Sequence, residues 1–168
     1  FVPTRMAFSI DEDAKHPGSL FDRRLSMVNV WANNAANALG VARSAMDAFV
    51  ELATRSGSTR STILLRDRAP VQNTVGQAEA IIGAARAYVL DSVGKAWEAV
   101  SNGATDPGPE IAQARLSITH AIHESVRAVD LLFHAAGTNA IHSGFPLERH
   151  FRDIHVAVTH AAGLDLNL

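Results

Sequence analysis

The sequence contains no cysteine and no marked excess of charge of either sign. Without cysteine the chain has no disulfide bridge, no thiolate metal ligand and no cysteine nucleophile. Its 168 residues include 15 Lys and Arg against 17 Asp and Glu, so a basic surface for nucleic acid is not indicated. No apolar run reaches the roughly 18 residues that a membrane-spanning helix needs. We therefore expect a cytoplasmic protein that binds neither nucleic acid nor a membrane.

Motifs of several well-known catalytic sites are absent as well. The sequence has no Gly-x-Gly-x-x-Gly or Walker motif, no Gly-x-Ser-x-Gly turn, and no Glu-x-x-His pairs for a di-iron centre. His120 and His123 lie one helical turn apart, but with Glu124 they match neither the His-Glu-x-x-His motif nor its inverse. We expect both histidines on a helix surface, and we expect no metal site.

Apolar residues are plentiful and recur at helical spacing. Hydrophobic residues make up 47% of the chain, which is enough for one buried core. Apolar side chains three and four residues apart are typical of amphipathic helices. Pro70 suits the first turn of a helix, and Gly137 suits the residue that ends one. Long helices joined by short polar links predict an all-α, up-down four-helix bundle. The predicted helices extend from about Phe21 to Arg55, Pro70 to Val100, Ile111 to Phe133 and Pro146 to Ala162.

Residues 1–20 differ from the rest of the chain. Their weak alternation, with Pro3 and Pro17-Gly18, predicts a short strand followed by a turn. The chain begins at Phe1 without an initiator Met. We therefore expect a piece of a larger protein, in which residues 1–20 are a strand and linker and residues 21–168 form the bundle domain.

The segment from Leu147 to His160 is the most informative for function. It reads Leu-Glu-Arg-His-Phe-Arg-Asp-Ile-His-Val-Ala-Val-Thr-His. We interpret Arg149, Arg152 and Asp153 as a partly buried network that fixes helix packing. His160 lies two turns further on, near the end of the chain, where a bundle usually opens to a partner domain.

This segment resembles the C-terminal signature of the acyl-CoA dehydrogenase superfamily, in its type 2 C-terminal domain. It is most similar to the branch of two-component flavin-dependent monooxygenases, which includes the 4-hydroxyphenylacetate, steroid-phenol and dibenzothiophene enzymes. The resemblance implies a larger chain, with a helical domain and a β-domain before this bundle. It also implies a flavin between the β-domain and the bundle, a homotetramer, a flavin reductase partner and a small-molecule substrate. Four further segments resemble the family in order: Phe1-Val2-Pro3, Ala38 to Arg43, Ala69 to Gln72, and Ala135-Ala136-Gly137.

Acyl-CoA dehydrogenases need a carboxylate base for the α-proton of the thioester. In one version of the family this base follows the Arg-Asp pair by eight residues, and here that position is Ala161. In the other version it lies on the first bundle helix, and here no acid occurs between Asp22 and Asp47. Both positions lack a carboxylate, so the resemblance favours a reduced-flavin-dependent monooxygenase acting on an aromatic or related small organic substrate.

The resemblance also assigns roles to individual residues. His160 resembles the monooxygenases' active-site histidine in position. An imidazole suits that role because it can donate a hydrogen bond or exchange a proton with a phenolic substrate. Arg60 and Gln72 resemble residues that hold the flavin phosphates, with Arg66 or Arg68 as alternatives to Arg60. The turn that reaches a phosphate or the adenosine is matched by Gly137, Thr138 and Asn139, and FMN against FAD stays open.

Two alternatives remain beside the monooxygenase. One is an acyl-CoA dehydrogenase-type oxidoreductase, and the other is a non-catalytic helical oligomerisation module. In either enzyme the chain supplies one wall of the flavin site, so we expect the chain alone to be inactive. We also expect self-association through helix faces, because apolar residues occur beyond one stripe of each helix. They include Val30, Phe49, Val50, Ile81 and Tyr88.

Overall fold

The computed structural model describes Pro3, Met6, Ala7, His16 and residues 18–57, 63–141 and 146–164. The helices are α1 (Ser26–Arg55), α2 (Ala69–Ser101), α3 (Gly108–Ala136) and α4 (Leu147–Ala157). Short 3₁₀ turns flank them, and one isolated antiparallel bridge joins Gly57 to Leu64. The predicted all-α, up-down four-helix bundle is confirmed. The strand predicted near Phe1 lies outside the described residues, apart from Pro3.

Small side chains let α1 and α3 approach each other closely. Ala35, Ala38, Ala42 and Ala45 are fully buried along α1, and α3 contributes several fully buried alanines of its own. Alanine has no atoms beyond Cβ, so helix axes can come nearer to each other than leucine would allow. Larger side chains fill the space between the helices, as in the close-packed cores of other proteins. The largest fully buried ones include Phe49, Leu52, Ile118, Ile122 and Leu132.

The first helix begins at Ser26 and not at Phe21, because the chain before it forms two 3₁₀ turns. The Asp22 carboxylate accepts a hydrogen bond from the Arg24 backbone N–H at 2.9 Å and two more from the Arg24 side chain. These bonds lower the pKa of the Asp22 carboxyl. Arg24 also donates to the Ala104 carbonyl at 2.9 Å. The start of α1 is thereby attached to the link between α2 and α3.

Proline and glycine mark helix boundaries where the sequence predicted them. Pro70 lies in the first turn of α2, where its missing N–H removes no helical hydrogen bond. Gly137 ends α3 with φ +58°, a backbone conformation that glycine adopts without a side-chain clash. Both boundary predictions are confirmed.

The fourth helix is shorter than predicted, ending at Ala157 and not near Ala162. Beyond it the chain forms a 3₁₀ turn over Ala161–Gly163, in which the Gly163 N–H donates to the His160 carbonyl at 2.7 Å. A Cβ on Gly163 would lie 2.4 Å from the Val158 carbonyl oxygen, closer than real contacts allow. The helix therefore stops because the chain folds back tightly on its own end.

The two flanks of α1 are packed differently. On one flank α3 and α4 cover it, and α4 packs on both α1 and α3. On the other flank α2 packs mainly on α3 and leaves a groove of about 800 Å³ between α1 and α2. Among the described helices, none combines the length and apolar character needed to cross a membrane.

Candidate functional site

His160 lies just after α4, at the start of the 3₁₀ turn formed by Ala161–Gly163. Its side chain is exposed at the surface of this chain. The ring atom Nδ1 accepts a hydrogen bond from the Ala162 N–H at 3.2 Å. A neutral imidazole with Nδ1 as acceptor carries its proton on Nε2. The arrangement therefore presents Nε2–H as a donor on the surface of the bundle.

Two side chains of α3 hold the turn that follows His160. Thr119 is fully buried and donates its hydroxyl proton to the Ala162 carbonyl at 2.8 Å. His123 is half-buried, and its Nε2 lies 2.8 Å from the Gly163 carbonyl oxygen, to which it must donate. The expectation of two surface histidines is therefore correct for His120, which is exposed, and wrong for His123. The sequence signal was weak, because His123 gains its contact only when the chain end folds onto α3.

The turn from Gly137 to Ile141 is the first of the predicted cofactor positions. Gly137 and Thr138 are exposed and Asn139 is half-buried, whereas Ala140 is buried and anchors the turn. This turn joins α3 to α4, so it lies at one end of α4 and His160 lies beyond the other. The 11 residues of α4 correspond to about 16 Å of helix.

The other predicted cofactor positions surround the start of α2. Arg60 lies outside the described residues. Gln72 is exposed, and its side-chain N–H donates to the Arg66 carbonyl at 3.0 Å, so its amide group holds the loop before α2. Arg66 and Arg68 are both exposed in this loop. Because the helices alternate in direction, this loop and the Gly137 turn lie at the same end of the bundle.

The charged residues of α4 do not form the partly buried network that the sequence suggested. Arg149 pairs with Asp153 at 3.3 Å, but their side chains are 76% and 47% exposed. Arg152 pairs in the same way with Glu148, at 3.6 Å. Exposed pairs one turn apart contribute little to stability because water already solvates both charges. The interpretation was therefore wrong for this chain.

Apolar and aromatic contacts hold α4 instead. Leu147 and Ile154 are almost fully buried. The Phe151 ring stacks on Phe133 of α3, with ring centroids 4.2 Å apart. His150, on the same helix, is half-buried, and burial lowers the pKa of its imidazole. The end of α4, and with it the position of His160, is thus set by burial against α1 and α3.

The groove between α1 and α2 is a feature that the sequence reasoning missed. Arg43 on its rim makes two hydrogen bonds to Glu79, at 2.6 and 2.8 Å, which lower the pKa of the Glu79 carboxyl. Glycines inside otherwise apolar helical stripes were the signal available in the sequence. The groove lining includes Ala32, Ala36, Gly40, Gly83, Leu90 and Trp97.

Exposure partly agrees with the apolar faces expected for self-association. Val30 is 55% exposed and Val50 is 43% exposed, as expected. Phe49 is fully buried, so its assignment to an outer face was wrong. Near its end α1 buries neighbouring residues, including Ala48 and Phe49, so its buried face is wider than a single stripe of residues three and four apart. Ile81 and Tyr88 are half-buried.

No cluster of three or more His, Asp or Glu side chains suited to a metal ion occurs among the described residues. The site consists instead of a single exposed imidazole, a clamp of two α3 side chains, and two loops at one end of the bundle.

An all-α four-helix bundle is the class of domain that these elements define. The family described as acyl-CoA dehydrogenase, C-terminal domain, matches residues 32–163. The chain belongs to this family.

Individual relatives narrow the comparison. Indole-3-acetate monooxygenase of Pseudomonas putida is 35% identical over 126 residues, which are 73% of this chain and 32% of that protein. The flavin-dependent monooxygenase, oxygenase subunit HsaA, of Mycobacterium tuberculosis (strain CDC 1551 / Oshkosh) is 30% identical over 88 residues, 52% of this chain and 22% of that protein. The chain thus spans about a third or less of these curated relatives.

Among solved structures, XiaF from Streptomyces sp., in complex with FADH2 and glycerol, has the same fold. Its TM-score is 0.79 at 24% sequence identity, over 90% of this chain and 38% of XiaF.

Proposed function

We propose that this chain is the C-terminal domain of a reduced-flavin-dependent monooxygenase that hydroxylates an aromatic or related small organic substrate. One observation carries the proposal. The family's two positions for a catalytic carboxylate hold no acid, whereas the neighbouring His160 presents a donor on the surface of the bundle. The monooxygenases among the relatives support the same reading.

His160 is the proposed catalytic residue. When bound, a reduced flavin would activate dioxygen. The surrounding protein would keep water away from the reacting atoms and supply a proton to them. Since Nδ1 of His160 is occupied by the Ala162 N–H, Nε2 is the atom that donates to the substrate or exchanges a proton with its hydroxyl. The exposure of the ring on this chain suits a site whose other wall comes from another domain.

The flavin is proposed to bind across the end of the bundle where two loops lie together. The Gly137 turn offers backbone without Cβ, and Thr138 and Asn139 offer short polar side chains suited to a phosphate or an adenosine. Arg60 is proposed to grip phosphate from the loop before α2, with Arg66 and Arg68 as alternatives. Gln72 is proposed as the second phosphate contact, and its side chain also holds the loop through its bond to the Arg66 carbonyl at 3.0 Å. The proposal covers both FMN and FAD, and a contact with adenosine would apply to FAD alone.

The remaining proposals concern the whole protein. We propose that residues 1–20 link this bundle to a preceding β-domain and that the protein forms a homotetramer through its bundles. The exposed apolar residues of α1 and α2 support that assembly. A flavin reductase is the proposed partner, since a relative is an oxygenase subunit, and the cytoplasm is the proposed location.

The experiment replaces His160 in the longer protein that carries this bundle. His160→Ala should lower hydroxylated product about 10²- to 10⁴-fold, the usual cost of removing a general acid or base. Hydrogen peroxide should rise at the same rate of oxygen consumption, because the reduced flavin then reacts without hydroxylating. The binding of flavin should change little, since the 11 residues of α4 separate His160 from the Gly137 turn. The readout is product formed per oxygen consumed, with flavin affinity measured separately.

His120→Ala is the matched control. His120 also belongs to this part of α3, but it is exposed and its ring meets Tyr88 edge-on. It should keep the parent's coupling of oxygen consumption to product. Equal coupling in the His160→Ala variant and the parent would remove His160 from the mechanism. Oxidation of an acyl-CoA without oxygen-dependent product would favour the dehydrogenase alternative, and a longer protein with no flavin chemistry at all would favour the oligomerisation module.

A further inference from the structure

One buried hydroxyl of α3 behaves differently from the others. Ser117 and Ser125 are fully buried and each bonds a carbonyl of α3 itself, at 2.7 Å. That is the ordinary way for a buried helical hydroxyl to find an acceptor. Thr119 is equally buried, but it donates out of the helix to the Ala162 carbonyl at 2.8 Å, across 43 residues of sequence. Its hydroxyl therefore joins α3 to the turn that follows His160.

His123 adds a second bond beside the first. It lies four residues after Thr119, so the two side chains project from the same face of α3. Its Nε2 lies 2.8 Å from the Gly163 carbonyl, the next carbonyl along the chain from that of Ala162. Two donors one helical turn apart thus meet two consecutive carbonyls. The turn is held at two points, which fixes its orientation as well as its position.

The same turn holds the ring of His160. Ala162 receives the Thr119 hydroxyl on its carbonyl and donates its N–H to Nδ1 of His160 at 3.2 Å. The bond from Ala162 fixes which ring nitrogen is the acceptor, and hence that the neutral ring carries its proton on Nε2. One residue therefore transmits the position of α3 to the imidazole.

Little space exists for the turn to relax in another direction. Gly163 packs against the end of α4 so closely that a Cβ would lie 2.4 Å from the Val158 carbonyl oxygen. Ala162 is fully buried beneath the exposed His160. The backbone on both sides of the turn is thus confined. The hydrogen bonds from α3 then fix the position of the turn relative to the bundle.

We propose that Thr119 and His123 are positioning residues that set the orientation and the tautomer of His160. The role in the reaction rests on the proposed function, whereas the mechanical role does not. A hydrogen bond from a buried hydroxyl costs the protein if it is lost, because the carbonyl it served is left without its partner. Removing the Thr119 hydroxyl should therefore loosen the turn and let the His160 ring adopt other orientations.

The test compares Thr119→Val, which keeps the shape and removes the donor, with Thr119→Ser, which keeps the donor. Both variants are made in the longer protein that carries this bundle. Amide hydrogen exchange of peptides spanning residues 158–164 reads the turn directly by mass spectrometry. Thr119→Val should speed exchange there about 2- to 10-fold, the range expected for one lost hydrogen bond. Thr119→Ser should restore the parent's exchange.

Catalysis supplies the second readout. In Thr119→Val the product formed per oxygen consumed should fall severalfold while the KM for substrate stays near that of the parent. Thr119→Ser should recover the coupling. Ser125→Ala is the matched control, because it removes an equally buried α3 hydroxyl that bonds its own helix. It should leave both the exchange of residues 158–164 and the coupling unchanged.

The two readouts separate the failure of this proposal from the failure of the proposed function. Unchanged exchange in Thr119→Val overturns the mechanical role. Faster exchange with unchanged coupling overturns the positioning of a catalytic residue. Equal behaviour of the Ser and Val variants overturns the role of the hydroxyl, and a change in Ser125→Ala shows a general loss of packing instead. If the parent makes no oxygen-dependent product, the proposed function fails, and the exchange data still decide the mechanical role.

Discussion

One flank of α1 is covered by other helices of the chain, whereas the other flank is partly open to solvent. Toward α3 and α4 the interface is closed, and the buried hydroxyls of Ser117, Thr119 and Ser125 on α3 have partners within the chain. Toward α2 a groove of about 800 Å³ stays open, with Leu90 57% exposed and Trp97 41% exposed along it. Exposed apolar side chains that lie together are a common feature of surfaces that bind another protein. The closed flank therefore determines the fold, and we propose that the open flank meets another surface in the whole protein.

Small residues explain why the groove stays open. A Cβ added at Gly40, Gly83 or Gly94 would meet nothing within 4 Å. The same small side chains that let helices pack closely when they meet leave a void when the helices diverge. In α1 Ala35, Ala38, Ala42 and Ala45 are fully buried, whereas Ala32 and Ala36 line the groove.

The largest expected effect contrasts a core residue on the closed flank with an apolar residue in the groove. Ile118 is fully buried and Leu90 is exposed. Ile118→Ala should lower the free energy of unfolding by about 2–5 kcal/mol, because it leaves a cavity. At dilutions where the chain is a monomer, Leu90→Ala should change it by no more than about 0.5 kcal/mol, because water then reaches the side chain. Urea unfolding of the 168-residue chain, followed by circular dichroism, measures both.

The same pair tests what the groove is for. Sedimentation velocity at tens of micromolar should show the parent chain as an oligomer. Leu90→Asp should shift it toward the monomer without loss of helix content, since a carboxylate opposes burial of the groove. A monomeric parent would contradict assembly through this face. Equal losses of stability for Ile118→Ala and Leu90→Ala would contradict the contrast between the flanks.

A smaller effect is expected from a matched pair of glycine substitutions. Gly163→Ala places a Cβ against the Val158 carbonyl and should destabilise the chain by about 1–3 kcal/mol. Gly76 lies on the exposed side of α2, where a Cβ meets nothing within 4 Å. Gly76→Ala should stabilise by about 0.5–1 kcal/mol, because alanine loses less backbone freedom in a helix. Thermal unfolding measures both changes, and a stabilising Gly163→Ala would show that the turn is looser than the structure indicates.

The smallest expected effect is a pH dependence from the closed flank. Burial lowers the pKa of His150 below its ordinary value of 6.5, so the unfolded chain binds the proton more tightly than the folded one. The stability from the neutral ring is fully present above pH 6.5 and is lost as the pH falls through the lower folded pKa. His150→Gln should therefore show a shallower loss of stability between about pH 7 and pH 5. Parallel curves for the parent and the variant would contradict a lowered pKa of His150.

Much of the fold could be predicted from local signals. The apolar spacing of α2 and α3, with Pro70 at one start and Gly137 at one end, gave boundaries close to those observed. These signals are strong because each depends on the geometry of a single helix. The start of α1 was missed because Asp22 and Arg24 form a local turn whose bonds include one to Ala104, distant in sequence.

The candidate site was predictable only in part. The resemblance drew attention to His160 and to the Gly137 turn, and both lie on exposed backbone beside α4. It assigned no contact between His123 and the chain end, because that bond joins residues 40 positions apart. The residue pattern, not the resemblance, suggested that Arg149 and Asp153 are partly buried, and this was wrong because spacing along a helix gives a face but not the depth of that face.

The sequence by itself determined the helical class, the boundaries set by proline and glycine, and the lack of a carboxylate at the family's two catalytic positions. Such features depend on residue identity and on spacing within one turn or one helix. Only the tertiary structure decided where α4 ends, which hydroxyl of α3 reaches the His160 turn, and which flank of α1 stays open. Those features depend on how segments far apart in the chain pack on one another. The packing decides whether a side chain on a given helix face is exposed or buried.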